Sequence, residues 1–246
     1  MIIEKVAKNL FKNAKYSVES HTKPTGTKAV LIVSSPSTSR IDYELAKLAA
    51  ANSLPVYLAG NDIGEVISKL SDDGIRVSSV ALDNENPPNV KPLFQQIERD
   101  GCYVDLVIYN PPPVEPVGFL EITEKSMMDA WTDSCLLSFY IAQAALEQML
   151  PRGRGTLILG GASTSRRGEA NNALNSTTKA GLRLMAQSVA REFSSKGIHV
   201  VHAVLDDKLV VENSITPEIA VGIVKTYWEL YEQHITTWTH ELDLVL

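Results

Sequence analysis

The chain has 246 residues, 44% hydrophobic and 21% charged, with 29 acidic against 23 basic side chains and a formal net charge of -6. That length supports one large α/β domain with a self-sufficient core, and the acidic balance argues against a nucleic-acid binder. Two cysteines, Cys102 and Cys135, exclude a disulfide framework or a Cys-rich zinc site, and no apolar run reaches the roughly 20 residues of an integral membrane segment. These features point to the reducing cytosol.

The first element is a basic amphipathic segment. Ile2, Ile3, Val6, Leu10 and Phe11 share a helical face with Lys5, Lys8, Lys12 and Lys15 nearby. It reads as a docking helix or, alternatively, as an organelle-targeting or membrane-surface helix. Residues 1–27 are taken as this helix and a linker broken by Pro24 and Gly26, and residues 28–246 as the domain.

From there apolar runs and helical patterns alternate. Strands are expected at 29–33, 56–59, 76–82, 106–109, 156–160 and 200–205, most of them buried on both faces. Helices are expected at about 41–53, 62–72, 89–100, 123–149, 171–195 and 216–233. This alternation predicts a doubly wound parallel sheet of Rossmann type, with ligands outside the carboxyl ends of the strands.

The residues after each strand carry the chemistry. The first turn reads Ser34-Ser35-Pro36-Ser37-Thr38-Ser39-Arg40-Ile41-Asp42. The fourth strand ends in Tyr109-Asn110-Pro111-Pro112, and the fifth in Gly160-Gly161-Ala162-Ser163. Asn175 and Lys179 stand four apart on a helix, and Asp206-Asp207-Lys208 follow the sixth strand. His21, His199, His202, His234 and His240 show no metal-binding spacing, with His199 and His202 flanking a strand.

The layout, and the block from Trp131 to Val204 above all, resembles the short-chain dehydrogenase/reductase family. In that family a turn of pattern TGxxxGxG brings backbone N–H groups to a dinucleotide pyrophosphate. Here Pro36, Arg40 and Asp42 stand at the three glycines. The resemblance leaves Ser35, Ser37, Thr38, Ser39 and Arg40 to hold a phosphate with side chains, or Ser39 to serve only as a helix cap.

The resemblance places Asp83 beside an adenine and retains Asn110 of the NNAG segment. Of the family's Asn, Ser, Tyr and Lys tetrad, Lys179 matches. Asn175 replaces the tyrosine, Ser134 the asparagine, and Ala162 the serine, with Ser163 as a neighbouring substitute. An i, i+4 pair lets the ammonium lower a phenol pKa, whereas an amide has no useful titration near neutral pH. Lys179 then serves chemistry, or bonds a strand-end carbonyl.

The resemblance implies a degenerate member with no cofactor or weakly bound NADP(H). It is read as a catalytically inactive subunit of a homodimer or larger complex. Alternatives are an NADP(H)-dependent reductase of an iminium or carbonyl substrate, or a cofactor-independent isomerase or cyclase. Helices 123–149 and 171–195 would pair across the dimer through Ala142, Ala145, Leu146, Met149, Leu182, Met185 and Val189.

Overall fold

The computed structural model describes residues 26–80, 82, 90–206 and 214–244. The amphipathic segment at 2–16, Asp83, Asp207 and Lys208 lie outside the described residues. Seven strands form one sheet in the order β3-β2-β1-β4-β5-β6-β7, with every neighbouring pair parallel. They are β1 (Thr27–Val33), β2 (Val56–Ala59), β3 (Ser78–Val80), β4 (Cys102–Tyr109), β5 (Gly155–Ala162), β6 (Ile198–Leu205) and β7 (Glu241–Leu244).

Helices cover both faces, as a parallel sheet requires. On one side α1 (Ser39–Ala51), α2 (Gly64–Asp72) and α7 (Pro217–Glu232) pack through Ile41, Leu45, Leu70 and Tyr227 onto Val30, Ile32 and Val201. On the other, α3 (Lys91–Arg99), α5 (Leu137–Met149) and α6 (Ala173–Phe193) pack through Ile97, Ile141 and Leu182 onto Leu31, Val107 and Val200. Each such side chain, taken from water to full burial, contributes about 1.5–3 kcal/mol.

Four expectations are corrected. The sheet has a seventh strand, because Glu241-Leu-Asp-Leu alternates at half burial and leaves no apolar run. The strand expected at 76–82 is confined to Ser78–Val80, two exposed serines and a half-buried valine at the sheet edge. The helix at 123–149 is α4 (Glu124–Trp131), a π turn at Thr132–Leu136, and α5. His199 and His202 lie buried within β6 rather than flanking it.

The stripes assigned to a dimer are also corrected. Ala142, Ala145, Leu146, Met149 and Leu182 are buried against this chain's own sheet, with Met185 and Val189 packed beside them. The outward apolar residues of these helices are Met128, Trp131, Phe139 and Leu184.

Two glycines set how closely β5 is approached. A Cβ on Gly160 would fall 2.3 Å from Asn110 Oδ1, and one on Gly161 would fall 2.1 Å from His202 Nε2. Gly222, on α7, has nothing within 4 Å of that position. Gly161→Ala is therefore expected to lose about 1–3 kcal/mol by overpacking, and Gly222→Ala to gain about 0.5–1 kcal/mol from helix propensity. Urea unfolding of the two variants beside the parent checks both signs.

Candidate functional site

The turn from β1 to α1 spends its donors inward. Pro36 has no N–H, and the Thr38 N–H donates to Ser35 O at 3.0 Å. Ser35 Oγ donates to the Asn110 carbonyl at 3.1 Å and lies 3.0 Å from Thr38 Oγ1 and 3.2 Å from Ser37 Oγ. Ser34 Oγ donates to Asp42 Oδ2 at 2.5 Å, and Thr38 Oγ1 to the same oxygen at 3.2 Å.

Asp42 is fully buried in the first turn of α1. Burial pushes its carboxyl up to about 7, against the opposing pull of the Ser34 and Thr38 hydroxyls. Its Oδ1 has no partner among the described residues. Arg40 reaches away from the turn and donates from Nη1 to the Ile215 carbonyl.

Asn110 ties four elements together. Its carbonyl takes the Ser35 hydroxyl, its Oδ1 accepts from Tyr227 OH at 2.9 Å, and its amide packs on Gly160. Burial, and then the Asp42 charge, push the Tyr227 phenol well above its ordinary range. Tyr227 was not anticipated from sequence; it sits on an apolar helical stripe like any core aromatic.

On α6, Asn175 and Lys179 share a buried face, as their i, i+4 spacing requires. Asn175 Nδ2 donates to Thr164 Oγ1 at 3.0 Å, on the turn after β5. Lys179 Nζ donates to the carbonyls of Pro111 and Pro112 at 2.9 and 3.0 Å. This is the strand-end carbonyl role, made from consecutive prolines.

Ser134 lies in the π turn. Its carbonyl accepts from Ser138 Oγ at 2.6 Å, and its own hydroxyl is buried without a partner among the described residues. Below Gly161, His202 is buried with Nδ1 3.6 Å from Glu241 Oε2. Burial pulls His202 down to about 4. Glu241 is drawn to about 2 by Arg183, which donates to it at 2.8 and 2.9 Å, with Gln187 and Arg166 adding 3.2 Å contacts. The Gly160-Gly161 pair was the signal that a large side chain stands against β5.

Three spaces open around these residues. Thr38, Asn110, Gly160 and Lys179 bound a gap of about 10 Å³, at the lower limit for one water. Ser34, Ser35, Asp62, Leu82, Tyr109 and Asp133 line a cavity of about 200 Å³. Ser37, Ser39 and Arg40 line a separate groove of about 410 Å³ with Tyr43 and Glu65. Ser134 and Ser163 line none of the three. The predicted residues that line a space are thus divided among three.

A model of the short chain dehydrogenase family matches residues 29–205. Among curated proteins, a 3-oxoacyl-(acyl-carrier-protein) reductase of Vibrio cholerae is 25% identical over 131 residues, 53% of this chain and 52% of the relative. A hydroxynaphthalene reductase-like protein of Metarhizium brunneum is 26% identical over 160 residues, 65% of this chain and 60% of the relative. The chain spans only 52% and 60% of the length of these two relatives. A short-chain dehydrogenase structure from Rhodopseudomonas palustris superposes with a TM-score of 0.75 at 26% identity, over 88% of this chain and 97% of the other. A serine dehydrogenase in complex with NADP+, at 12% identity and TM-score 0.73 over 87% and 93% of the two chains, shares the fold.

Asp42 has a measurable consequence. A folded pKa of about 7 against an ordinary 3.8 means that the folded chain holds a proton the unfolded chain releases, so this group's contribution to stability falls as pH rises from about 4 to 7. Asp42→Asn removes that loss. Its stability relative to the parent is expected to grow over this window, by at most about 4 kcal/mol at ~1.36 kcal/mol per pKa unit. Denaturant titrations at pH 4, 5.5 and 7 check the direction.

Proposed function

The chain belongs to the short-chain dehydrogenase family, and from that premise we propose that it has given up hydride transfer and serves as a non-catalytic subunit. The observation that carries this reading is the pairing on α6. The position of the family's tyrosine holds Asn175, bonded to Thr164, and the ammonium beside it is bound to the Pro111 and Pro112 carbonyls. A carboxamide offers no proton near neutral pH to a substrate oxygen.

A nicotinamide dinucleotide does not fit the residues present. The turn that would meet its pyrophosphate lacks an N–H at Pro36 and spends the Thr38 N–H and the Ser35 hydroxyl inside the protein. Asp42 adds a carboxyl behind that turn. The gap beside Lys179 is about 10 Å³, room for about one water. Stacked losses of this kind favour a fold kept for assembly.

Assembly is supported by the outer face of α4, α5 and α6. Leu184 is 64% exposed, Met128 51%, Phe139 44% and Trp131 37%. Large apolar groups left exposed on these three helices favour a contact surface there. A homodimer in which this face meets its own copy buries them isologously.

A second reading rests on the 200 Å³ cavity. Asp62 and Asp133 line it, and burial followed by the charge of Asp129 pushes the Asp133 carboxyl above its ordinary range. An acidic pocket of this size suits a small cationic substrate, such as an iminium, that needs no phenol to protonate it.

Two measurements test these proposals. Calorimetric titration of NADPH and NADH is expected to give no binding tighter than about 10 μM, roughly 7 kcal/mol; tighter binding overturns the non-catalytic reading. In sedimentation the parent is expected to run as a dimer and the Phe139→Glu, Leu184→Glu double variant as a monomer with an unchanged melting temperature. A monomeric parent overturns the assembly role.

A further inference from the structure

One element of the sequence has no place in the cleft, the basic amphipathic segment at 2–16. Ile2, Ile3, Val6, Leu10 and Phe11 give it an apolar face, and such a face needs cover from water. Residues 1–25 carry five basic and two acidic side chains, against 18 basic and 27 acidic in residues 26–246. The first part is thus net +3 and the rest net -9, so the two attract one another.

The chain enters the described fold at the amino-terminal end of the strands. The Thr27 N–H donates to the Gly101 carbonyl at 3.0 Å, and β1 runs from there between β2 and β4. Lys28, the second residue of β1, lines a groove of about 530 Å³. Leu54 just before β2, Asp105 in the first half of β4, Gly155 at the start of β5 and Gly197 just before β6 continue that lining. The groove therefore crosses five adjacent strands, roughly 19 Å at about 4.8 Å per spacing. A helix of 15 residues is about 22 Å long.

The charges lining this trough are matched. Lys28 Nζ and Arg154 Nη2 lie 4.0 and 3.2 Å from Asp105 Oδ2, and the second carboxylate, Glu232, accepts from the Trp228 indole at 3.0 Å. No surplus charge selects a small ion. What is left for an occupant is apolar surface: Leu54, Tyr231 and Trp238 are half-buried there, and Ile235, three residues before Trp238, is 53% exposed. One acceptor is also open. Ala29 pairs with Val104 but Val30 pairs with Leu106, so Asp105 is a bulged residue whose carboxylate turns to α7 and accepts from Tyr231 OH at 2.8 Å. Its Oδ1 is buried without a partner among the described residues.

We propose that residues 2–16 of this same chain dock in the trough as an amphipathic helix, with Leu10 and Phe11 against Leu54 and Trp238 and the lysines at the rim near Glu232. Connectivity selects this occupant. The nine residues 17–25 extend to about 30 Å, enough to turn back from β1 and lay the segment across the strand starts. A tether of this length holds the segment at an effective concentration on the order of millimolar, so a weak contact keeps it in place. A free small molecule, or the same segment of a second copy, lacks that advantage. Docking covers the apolar face and closes the end of the sheet opposite the cleft.

The test uses the full chain with p-benzoylphenylalanine in place of Phe11, irradiated and mapped by mass spectrometry. Cross-links are expected within one chain, to peptides carrying Leu54 or Trp238. Links chiefly to α4, α5 or α6, links between two chains on a denaturing gel, or no link each overturn the proposal. Hydrogen exchange gives a second readout. Backbone amides of residues 2–16 are expected to exchange at least about tenfold more slowly in the parent than in the Leu10→Asp, Phe11→Asp variant; equal rates overturn docking. Both substitutions lie outside the cleft, so the result is independent of the NADPH titration.

Discussion

A buried ammonium needs groups that replace its water shell. Lys179 finds them in the carbonyls of Pro111 and Pro112. Prolines suit this task because their own nitrogens carry no hydrogen to compete for those oxygens. The bond fixes the loop after β4 against α6, and with it the position of Asn110, whose side chain anchors Tyr227 and whose carbonyl anchors Ser35. Four elements are registered at the carboxyl ends of the strands through adjacent backbone positions. The same clamp narrows the space beside the ammonium to about 10 Å³.

Two buried ionisable groups near that clamp act on the acid side of neutrality with opposite signs. Asp42, raised to about 7, retains a proton that the unfolded chain gives up, which costs stability as pH rises above about 4. His202, lowered to about 4 by burial, refuses a proton that the unfolded chain accepts below about 6.5, which costs stability as pH falls through that window. Between about 4 and 6.5 the two slopes oppose one another. Each group lacks full hydrogen bonding among the described residues.

The sequence revealed the architecture where burial was two-sided, because runs such as Val30 to Val33 have one interpretation in a parallel sheet. It was silent where a polar residue served a backbone irregularity. Asp105 masked the first half of β4 because a bulge places a carboxylate inside a strand, and the π turn at Thr132–Leu136 hid within one helical period. Alternation failed at β7 because its residues are only partly buried. At the cleft, Lys179, Asn175 and Asn110 could be placed by spacing, whereas Thr164, Tyr227 and His202 come from elements whose juxtaposition only the fold supplies. The stripe of Ala142, Ala145 and Met149 shows the same limit: periodicity identifies an apolar face and cannot say whether a sheet or a second subunit covers it.

The two borders of the sheet have a further consequence. β7 presents Glu241 and Asp243, both paired with Arg166, and β3 at the far side presents Ser78 and Ser79 to solvent. A parallel sheet leaves unpaired N–H and C=O groups along each border, which invite another strand to add on. Here one border is short and hydroxylated, and the other carries an ion-paired lattice that an incoming strand would have to break and desolvate. The arrangement guards against aggregation by strand addition at both borders of the sheet.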